Sequence, residues 1–402
     1  MGKTGRFSGH QASLRHDIVR RSRIGIMPIG ALSIAFAGYI QEVDTFIESK
    51  KTHYNVGDKL KIHLGNKIKE IILTEENYTN NINSLASKGR LPEVILFSPP
   101  NHRLISVLDD VIDMISKILE QRFKNLDYTG DIDPYIPKFV MLSNGIYYDE
   151  VMSYISKILT MKGAKDNVKE KIKGNFIRAT TMQTGIRSEG DDSLKESVFV
   201  PGTKSSITIA GGSKECRERV IELFNKFGYP VIEMKGEEVR RIEFDKAIVN
   251  LSTNAVQLSL LYDEEGRVQS YTLGDLVSDE NMQEMCKKII YTMVSIGVKA
   301  GIYKNNYENQ DRLIEKISQE KWKKIEEKSK IDNVHIVSSL AAIIERYRKG
   351  ISENKPVRIP PLEENIINYL LNLSNENNLV EEKKIIEDLR DSILRVCNNL
   401  WC

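Results

Sequence analysis

Ile24-Gly25-Ile26-Met27-Pro28-Ile29-Gly30-Ala31-Leu32-Ser33-Ile34-Ala35-Phe36-Ala37-Gly38-Tyr39 is the stretch on which the reading of the fold turns. Ile24–Met27 is a short apolar run that predicts a buried strand. Pro28 to Gly30 predicts a turn, and Gly30 to Tyr39 a helix. Strand, glycine-bearing turn and helix, in that order, open a dinucleotide-binding fold. There the pyrophosphate rests on free backbone N–H groups at the helix N-terminus. The full pattern is Gly-x-Gly-x-x-Gly, whereas Pro28-Ile29-Gly30-Ala31-Leu32-Ser33 keeps only the middle glycine. That glycine matters most to a ligand, because it lets a phosphate approach the backbone closely. Pro28 fixes φ near about −65° where the tight-turn glycine would stand. Ser33 stands where a glycine would allow close helix–strand packing, and its hydroxyl could donate to a phosphate. Gly30, Ala31, Leu32 and Ser33 are the candidate cofactor contacts. Alone the motif is weak, and an α/β turn without a ligand is the plainer reading.

Outward from this turn, strand-like and helix-like segments alternate. Val43 to Ile47 is a second predicted strand, Val94 to Phe97 a third, stopped by Pro99-Pro100, and Phe139 to Leu142 a fourth, ending at Asn144-Gly145. Phe176 to Thr181 and Ser206 to Ile209 add two more, while Leu104 to Leu119 has helical spacing. Alternation of this kind predicts a mostly parallel sheet covered by helices on both faces. Beyond about residue 236 strand signals fade. Val239 to Leu261, Asn281 to Val298, Val337 to Arg348, Glu363 to Leu373 and Lys383 to Asn398 predict helices. The expected organisation is a basic tail at 1–22, a Rossmann-like α/β dinucleotide-binding domain at 23–235 and an all-α C-terminal domain at 236–402, serving substrate binding or dimerisation. The Lys- and Glu-dense stretch Asp311 to Lys330 is expected to be a solvated helix face.

Composition narrows the function classes. The chain has 402 residues, enough for two domains. With 41% hydrophobic and 28% charged residues it has the makeup of a folded globular protein. Lys and Arg number 58 against 56 Asp and Glu, a net charge of +2, so nothing demands nucleic acid or an anionic membrane surface. No apolar run reaches the length of a membrane span. Cys216, Cys286, Cys397 and Cys402 form no Cys-x-x-Cys pair, so no metal site is expected and a reduced, cytoplasmic setting is the default. The basic first 23 residues are a frayed tail in the favoured reading and a targeting presequence in the other.

Two local features bear on chemistry. After the second strand, Glu48 is followed by Ser49, Lys50 and Lys51. An acid here selects NAD, and basic residues accept the 2′-phosphate of NADP. Both remain open, with Ser49 and Lys50 tilting toward NADP. The second feature is Arg241-Ile-Glu-Phe-Asp-Lys246-Ala-Ile-Val-Asn250-Leu-Ser-Thr-Asn254. Lys246, Asn250 and Asn254 recur every fourth residue on one face of an otherwise apolar helix. Buried polar groups need partners. The plainer reading is a lysine reaching water and two satisfied core amides.

That helix resembles the Lys-x-x-x-Asn-x-x-x-Asn helix that opens the C-terminal domain of the ketopantoate reductase family. Other stretches match in the same order. Val94 to Asn101 resembles the family's strand before the nicotinamide-side loop, and Ser143-Asn144-Gly145 its Gln-Asn-Gly turn. Thr180-Thr181 and Ser206 to Gly212 resemble its late strands. Phe227-Gly228-Tyr229-Pro230-Val231 resembles the segment before its catalytic helix, and Ser338-Ser339-Leu340 its Ser-Ser-Met-Leu segment. The resemblance runs from about residue 23 to about residue 380. It implies an NAD(P)H-dependent reductase of a small-molecule 2-oxo acid, with NADP as cofactor (alternatively NAD) and a homodimer as a candidate assembly. It implies Lys246 as general acid and Asn144 beside nicotinamide and substrate. Asn250 and Asn254 are placed at the substrate, and Ser339 on its carboxylate. The departures are the missing turn glycines, Pro99 or Pro100 in place of a phosphate-touching lysine, and additional length around 50–75 and 300–330. The family's late glutamate falls at Glu353, Arg358 or Glu363, and an arginine there would favour a second anionic group over a neutral hydroxyl. The alternative is a non-catalytic relative that binds a ligand or serves assembly.

Overall fold

The computed structural model describes residues 24–48, 54–87, 90–123, 135–188, 196–261, 269, 271–304, 309–331 and 359–399. The strands are β1 (Ile24–Met27), β2 (Val43–Ile47), β3 (Lys59–Leu64), β4 (Lys67–Ile72), β5 (Tyr78–Thr79), β6 (Val94–Phe97), β7 (Lys138–Met141), β8 (Phe176–Thr181), β9 (Gly185–Ser188), β10 (Glu196–Pro201), β11 (Ile207–Ala210) and β12 (Val231–Glu233). The helices are α1 (Ala31–Tyr39), α2 (Ile82–Ser87), α3 (Leu104–Phe123), α4 (Tyr148–Met161), α5 (Asp166–Gly174), α6 (Lys214–Lys226), α7 (Val239–Ser259), α8 (Leu273–Ser278), α9 (Glu280–Lys299), α10 (Gln310–Ile331), α11 (Pro361–Glu376) and α12 (Val380–Asn399). The fold is thus an α/β, Rossmann-like part followed by a helical part. The helix expected over Val337 to Arg348 lies outside the described residues, as do Ser49, Lys50, Ser339, Glu353, Arg358 and the basic tail.

The chain divides into two compact units, each with its own architecture. The first runs to Ser143 and resumes from Asp149 to Gly236. Its main sheet has eight strands in the order β12-β11-β8-β7-β6-β1-β2-β5. Every neighbouring pair is parallel except β8 with β11. Chain order moves outward from β1 to β2 and β5, then returns to β6 on β1's other side. The point where strand order reverses therefore lies beside β1, and in open α/β sheets ligands bind outside the carboxyl ends of the strands there.

A second sheet, in the order β4-β3-β10-β9, was not foreseen. Residues around 50–75, which read as additional length, supply its hairpin, with Lys59 opposite Ile72 and Leu64 opposite Lys67. The reason for this sheet lies in α1. Ser33, Ile34, Ala35, Phe36, Ala37 and Gly38 are all buried, so the helix has no solvated face. A helix apolar all round must be covered all round. The main sheet covers one side through Ile26, Val94 and Leu96, while Leu60, Ile62 and Phe199 belong to the same core from the second sheet. Tyr229 and Phe224 close the remaining side, their rings 5.3 Å and 6.0 Å from that of Phe36. The second sheet approaches so closely that a Cβ on Gly185 would lie 2.2 Å from the Ala31 carbonyl oxygen.

The second unit comprises Asn144–Tyr148 and the chain from Glu237 onward. It is built on α7, whose residues Ala247, Ile248, Leu251, Ala255, Val256 and Leu258 are almost inaccessible, and α9 and α10 pack with it. α10 has the expected exposed face at Lys323, Lys324, Glu327 and Lys330. Its opposite face is core: Leu313, Ile314, Ile317, Trp322 and Ile325 are buried. Lys321 lies on that inner side, 2.5 Å from an Asp245 carboxylate oxygen that also accepts from the Tyr303 hydroxyl at 2.7 Å. Burial lowers the Lys321 pKa, and Asp245 opposes that shift.

Gly185→Ala tests the coverage of α1. The added methyl must push β9 off the helix, and overpacking of a well-filled interior costs about 1–3 kcal/mol. Denaturant unfolding should show that loss, and an unchanged midpoint would contradict the contact.

Candidate functional site

In the first unit the candidate site residues sit at the carboxyl end of β1. Gly30 is extended, at φ −143° and ψ 169°, and its carbonyl accepts the first helical bond, from the Ile34 N–H at 2.9 Å. The N–H groups of Ala31, Leu32 and Ser33 have no acceptor among the described residues. Free N–H groups and the positive end of the helix dipole suit a phosphate. Among the described residues a Cβ on Gly30 would meet only Ser33 Oγ, at 3.9 Å, so an anion could come close to the backbone there. These residues fit a pyrophosphate.

The Ser33 hydroxyl plays a different part from the expected one. It donates to the Pro28 carbonyl at 2.7 Å and accepts from the Gly30 N–H at 3.1 Å, and Ser33 is fully buried. Its hydrogen therefore serves the turn and is not directed at a ligand. The small side chain lets the helix pack close to the strand, and its oxygen closes a turn that two missing glycines leave underdetermined. The following loops are tied to this edge. The Ser98 N–H donates to the Met27 carbonyl at 2.8 Å, and the Ser143 hydroxyl donates to the Pro99 carbonyl at 2.6 Å. At the end of β2, Glu48 is buried at 4% exposure, and its N–H donates to the Thr79 carbonyl.

In the second unit the polar stripe is longer than its spacing suggested. Glu243, Lys246, Asn250 and Asn254 follow one another along α7 at intervals of three, four and four, one face of the helix. Lys246 and Asn250 are half-buried. Asn254 is buried and donates from Nδ2 to Glu363 Oε1 on α11 at 2.6 Å. Asn254 is thus a satisfied core amide. Asn250 is different: its Nδ2 is buried and has no acceptor among the described residues. A buried donor without a partner costs about 1–3 kcal/mol, so its presence invites a ligand acceptor.

Of the three positions weighed for the late glutamate, Glu363 is the described one. It is fully buried and its carboxylate is bonded to the stripe. Cys397 lies near enough that burial and the Glu363 charge together push its thiol up to about 11.

Asn144, though encoded between β7 and α4, folds with this helical unit. The next residues are bonded to it: Ile146 to Asn365 of α11, Tyr147 and Tyr148 to Glu243 of α7. Neither Glu243 nor Asn365 was singled out from sequence. Glu243 could have been, since it stands one turn before Lys246 on the same face. Asn365 carries no such signal. Ser339, Ser49 and Lys50 fall outside the described residues. No group of three or more His, Cys, Asp or Glu among the described residues could hold a metal ion.

No protein-family model matches the chain, and no curated protein matches it. Solved structures do. D-mandelate dehydrogenase in ternary complex with NADH and anilino(oxo)acetate is 12% identical, over 94% of this chain and 99% of that chain, at a TM-score of 0.60. The 2-dehydropantoate 2-reductase of Geobacter metallireducens is 13% identical, over 93% of this chain and 99% of its own, at 0.54. That of Methylococcus capsulatus is 12% identical, over 93% and 97%, at 0.55. The chain therefore has a ketopantoate reductase-like fold, extending over nearly its whole length at low sequence identity.

Proposed function

We propose that the protein is an NAD(P)H-dependent oxidoreductase that reduces the ketone of a 2-oxo acid, with Lys246 as general acid. The observation that carries this reading is the face of α7: an ammonium, an amide donor at Asn250 without an acceptor among the described residues, and the Asn254–Glu363 pair in successive turns. It is supported by a fold shared with a dehydrogenase whose structure holds NADH and an oxoacetate. When bound, the nicotinamide supplies the hydride that reduces the ketone carbon.

Lys246 donates a proton to the ketone oxygen as negative charge grows there, the role suited to a partly desolvated ammonium. Asn250 Nδ2 donates to the same oxygen or to the carboxylate, which gives its unmet donor an acceptor. Glu363, anchored by Asn254, offers acceptor capacity toward a substrate hydroxyl. Asn144 lies beside the reacting carbon, and Ser339 binds the carboxylate. On the cofactor side, Ala31, Leu32 and Ser33 offer backbone N–H groups to the pyrophosphate, with Gly30 allowing close approach. NADP is the cofactor we favour, through Ser49 and Lys50; the buried Glu48 carboxylate at the end of β2 is the feature that supports NAD instead. We propose a homodimer in the cytoplasm as its state.

Lys246→Ala should lower turnover of a responsive 2-oxo acid by about 10²–10⁴-fold, the usual worth of general acid catalysis, and leave NADPH binding intact. Stopped-flow NADPH consumption across a panel of 2-oxo acids reads this directly. A weakened NADPH affinity with turnover at saturating NADPH unchanged would refute the assigned role.

Glu363→Leu strands the Asn254 amide in the core. Stability should fall by about 1–3 kcal/mol, and KM for the 2-oxo acid should rise while the NADPH dissociation constant stays put. A weakened cofactor with unchanged KM would move Glu363 out of the substrate site.

A further inference from the structure

Residues 144–148 lie in the first half of the sequence but fold with the helical unit. Side chains hold them there. Asn365 grips Ile146 by both backbone groups: the Ile146 N–H donates to Oδ1 at 2.9 Å, and Asn365 Nδ2 donates to the Ile146 carbonyl at 3.3 Å. Glu243 takes the next two amides. The Tyr147 N–H donates to its Oε1 at 3.3 Å, and the Tyr148 N–H is shared between Oε1 and Oε2 at 3.2 and 3.3 Å. Three consecutive amides thus end on two side chains from two helices.

Glu243 is only 2% exposed. Burying a carboxylate is costly unless donors surround it. Here main-chain N–H groups are among the donors. Gly145 stands at φ +116°, where a residue without a Cβ is conformationally free. Glu243 also precedes Lys246 by three residues, so the two side chains share a face of α7. The helix that carries the proposed acid therefore also holds the loop that carries Asn144.

We propose that Glu243, aided by Asn365, is a positioning residue that keeps the Asn144-Gly145 turn in register with Lys246. This rests on the reductase reading above. Glu243 touches no reacting atom in this account. Its part is to turn a glycine-hinged loop into a fixed partner of the lysine.

The test compares the full-length wild type with Glu243→Ala, Glu243→Gln and Lys246→Ala. NADPH-dependent turnover of 2-oxo acids, the NADPH dissociation constant from nicotinamide fluorescence and amide hydrogen exchange over residues 144–148 are measured for each. Misplacement of a group by about 1 Å can cost about 10²-fold, so Glu243→Ala should lower kcat by about 10–100-fold with the dissociation constant held within about twofold. The amides of Tyr147 and Tyr148 should exchange faster, because their acceptors are lost. Glu243→Gln keeps one acceptor oxygen and should fall between the two. Lys246→Ala should lose turnover with exchange over 144–148 unchanged, which separates placing from proton donation. Full turnover in Glu243→Ala, or wild-type exchange in that variant, overturns the proposal. A wild-type chain that reduces no 2-oxo acid overturns the reading beneath it, and that outcome is visible before any variant is made.

Discussion

Helix α1 imposes the constraint from which the first unit follows. Nine residues without a polar face cannot lie on one sheet and leave the other side to water. The main sheet, the smaller sheet and the aromatic pair Phe224 and Tyr229 together enclose it. Enclosure of the helix body leaves its N-terminal amides without acceptors among the described residues, and these stand where strand order reverses. The arrangement that stabilises the core also leaves a helix N-terminus of the kind that suits an anion. Ser33 reconciles the two demands. Its side chain is small enough for close packing, and its hydroxyl closes the turn that a glycine-rich sequence would close by backbone freedom alone.

The helical unit solves a different problem with α7. A helix buried along most of its length carries a polar face of Glu243, Lys246, Asn250 and Asn254, and each buried polar group must be matched or left at a cost. Glu243 is matched by main-chain amides and Asn254 by Glu363, so both serve as fixtures. Asn250 keeps, among the described residues, an unmatched donor between them. Fixtures on either side of an unmatched group are what a preorganised binding face requires, since the cost of ordering is met before the ligand arrives.

Much of the fold was legible from sequence for physical reasons. The buried strands β1 and β6 are short apolar runs bounded by turn residues, as a parallel sheet covered on both faces requires. The long helices of the C-terminal part declared themselves by period. The second sheet was missed, although its hairpin alternates through Leu60, Ile62 and Leu64 and turns at Gly65 at φ +59°. The stronger clue was α1 itself, whose lack of a polar face already required a second cover. In the candidate site, spacing revealed the α7 stripe because helical periodicity is local. The bond from Asn254 to Glu363 spans 109 positions, and no local pattern carries it. The clamp of Asn365 on Ile146 spans 219 positions and was invisible for the same reason.

In the proposed reductase the reduced glycine turn still serves a nicotinamide cofactor. Titration of the wild-type protein with NADPH and NADH, followed by nicotinamide fluorescence with and without a 2-oxo acid, measures it most directly. The account predicts saturable binding of at least one reduced cofactor, with emission altered further when the 2-oxo acid is added. Absence of binding by both cofactors, from a chain that unfolds cooperatively, would contradict it and assign the fold to a non-catalytic role.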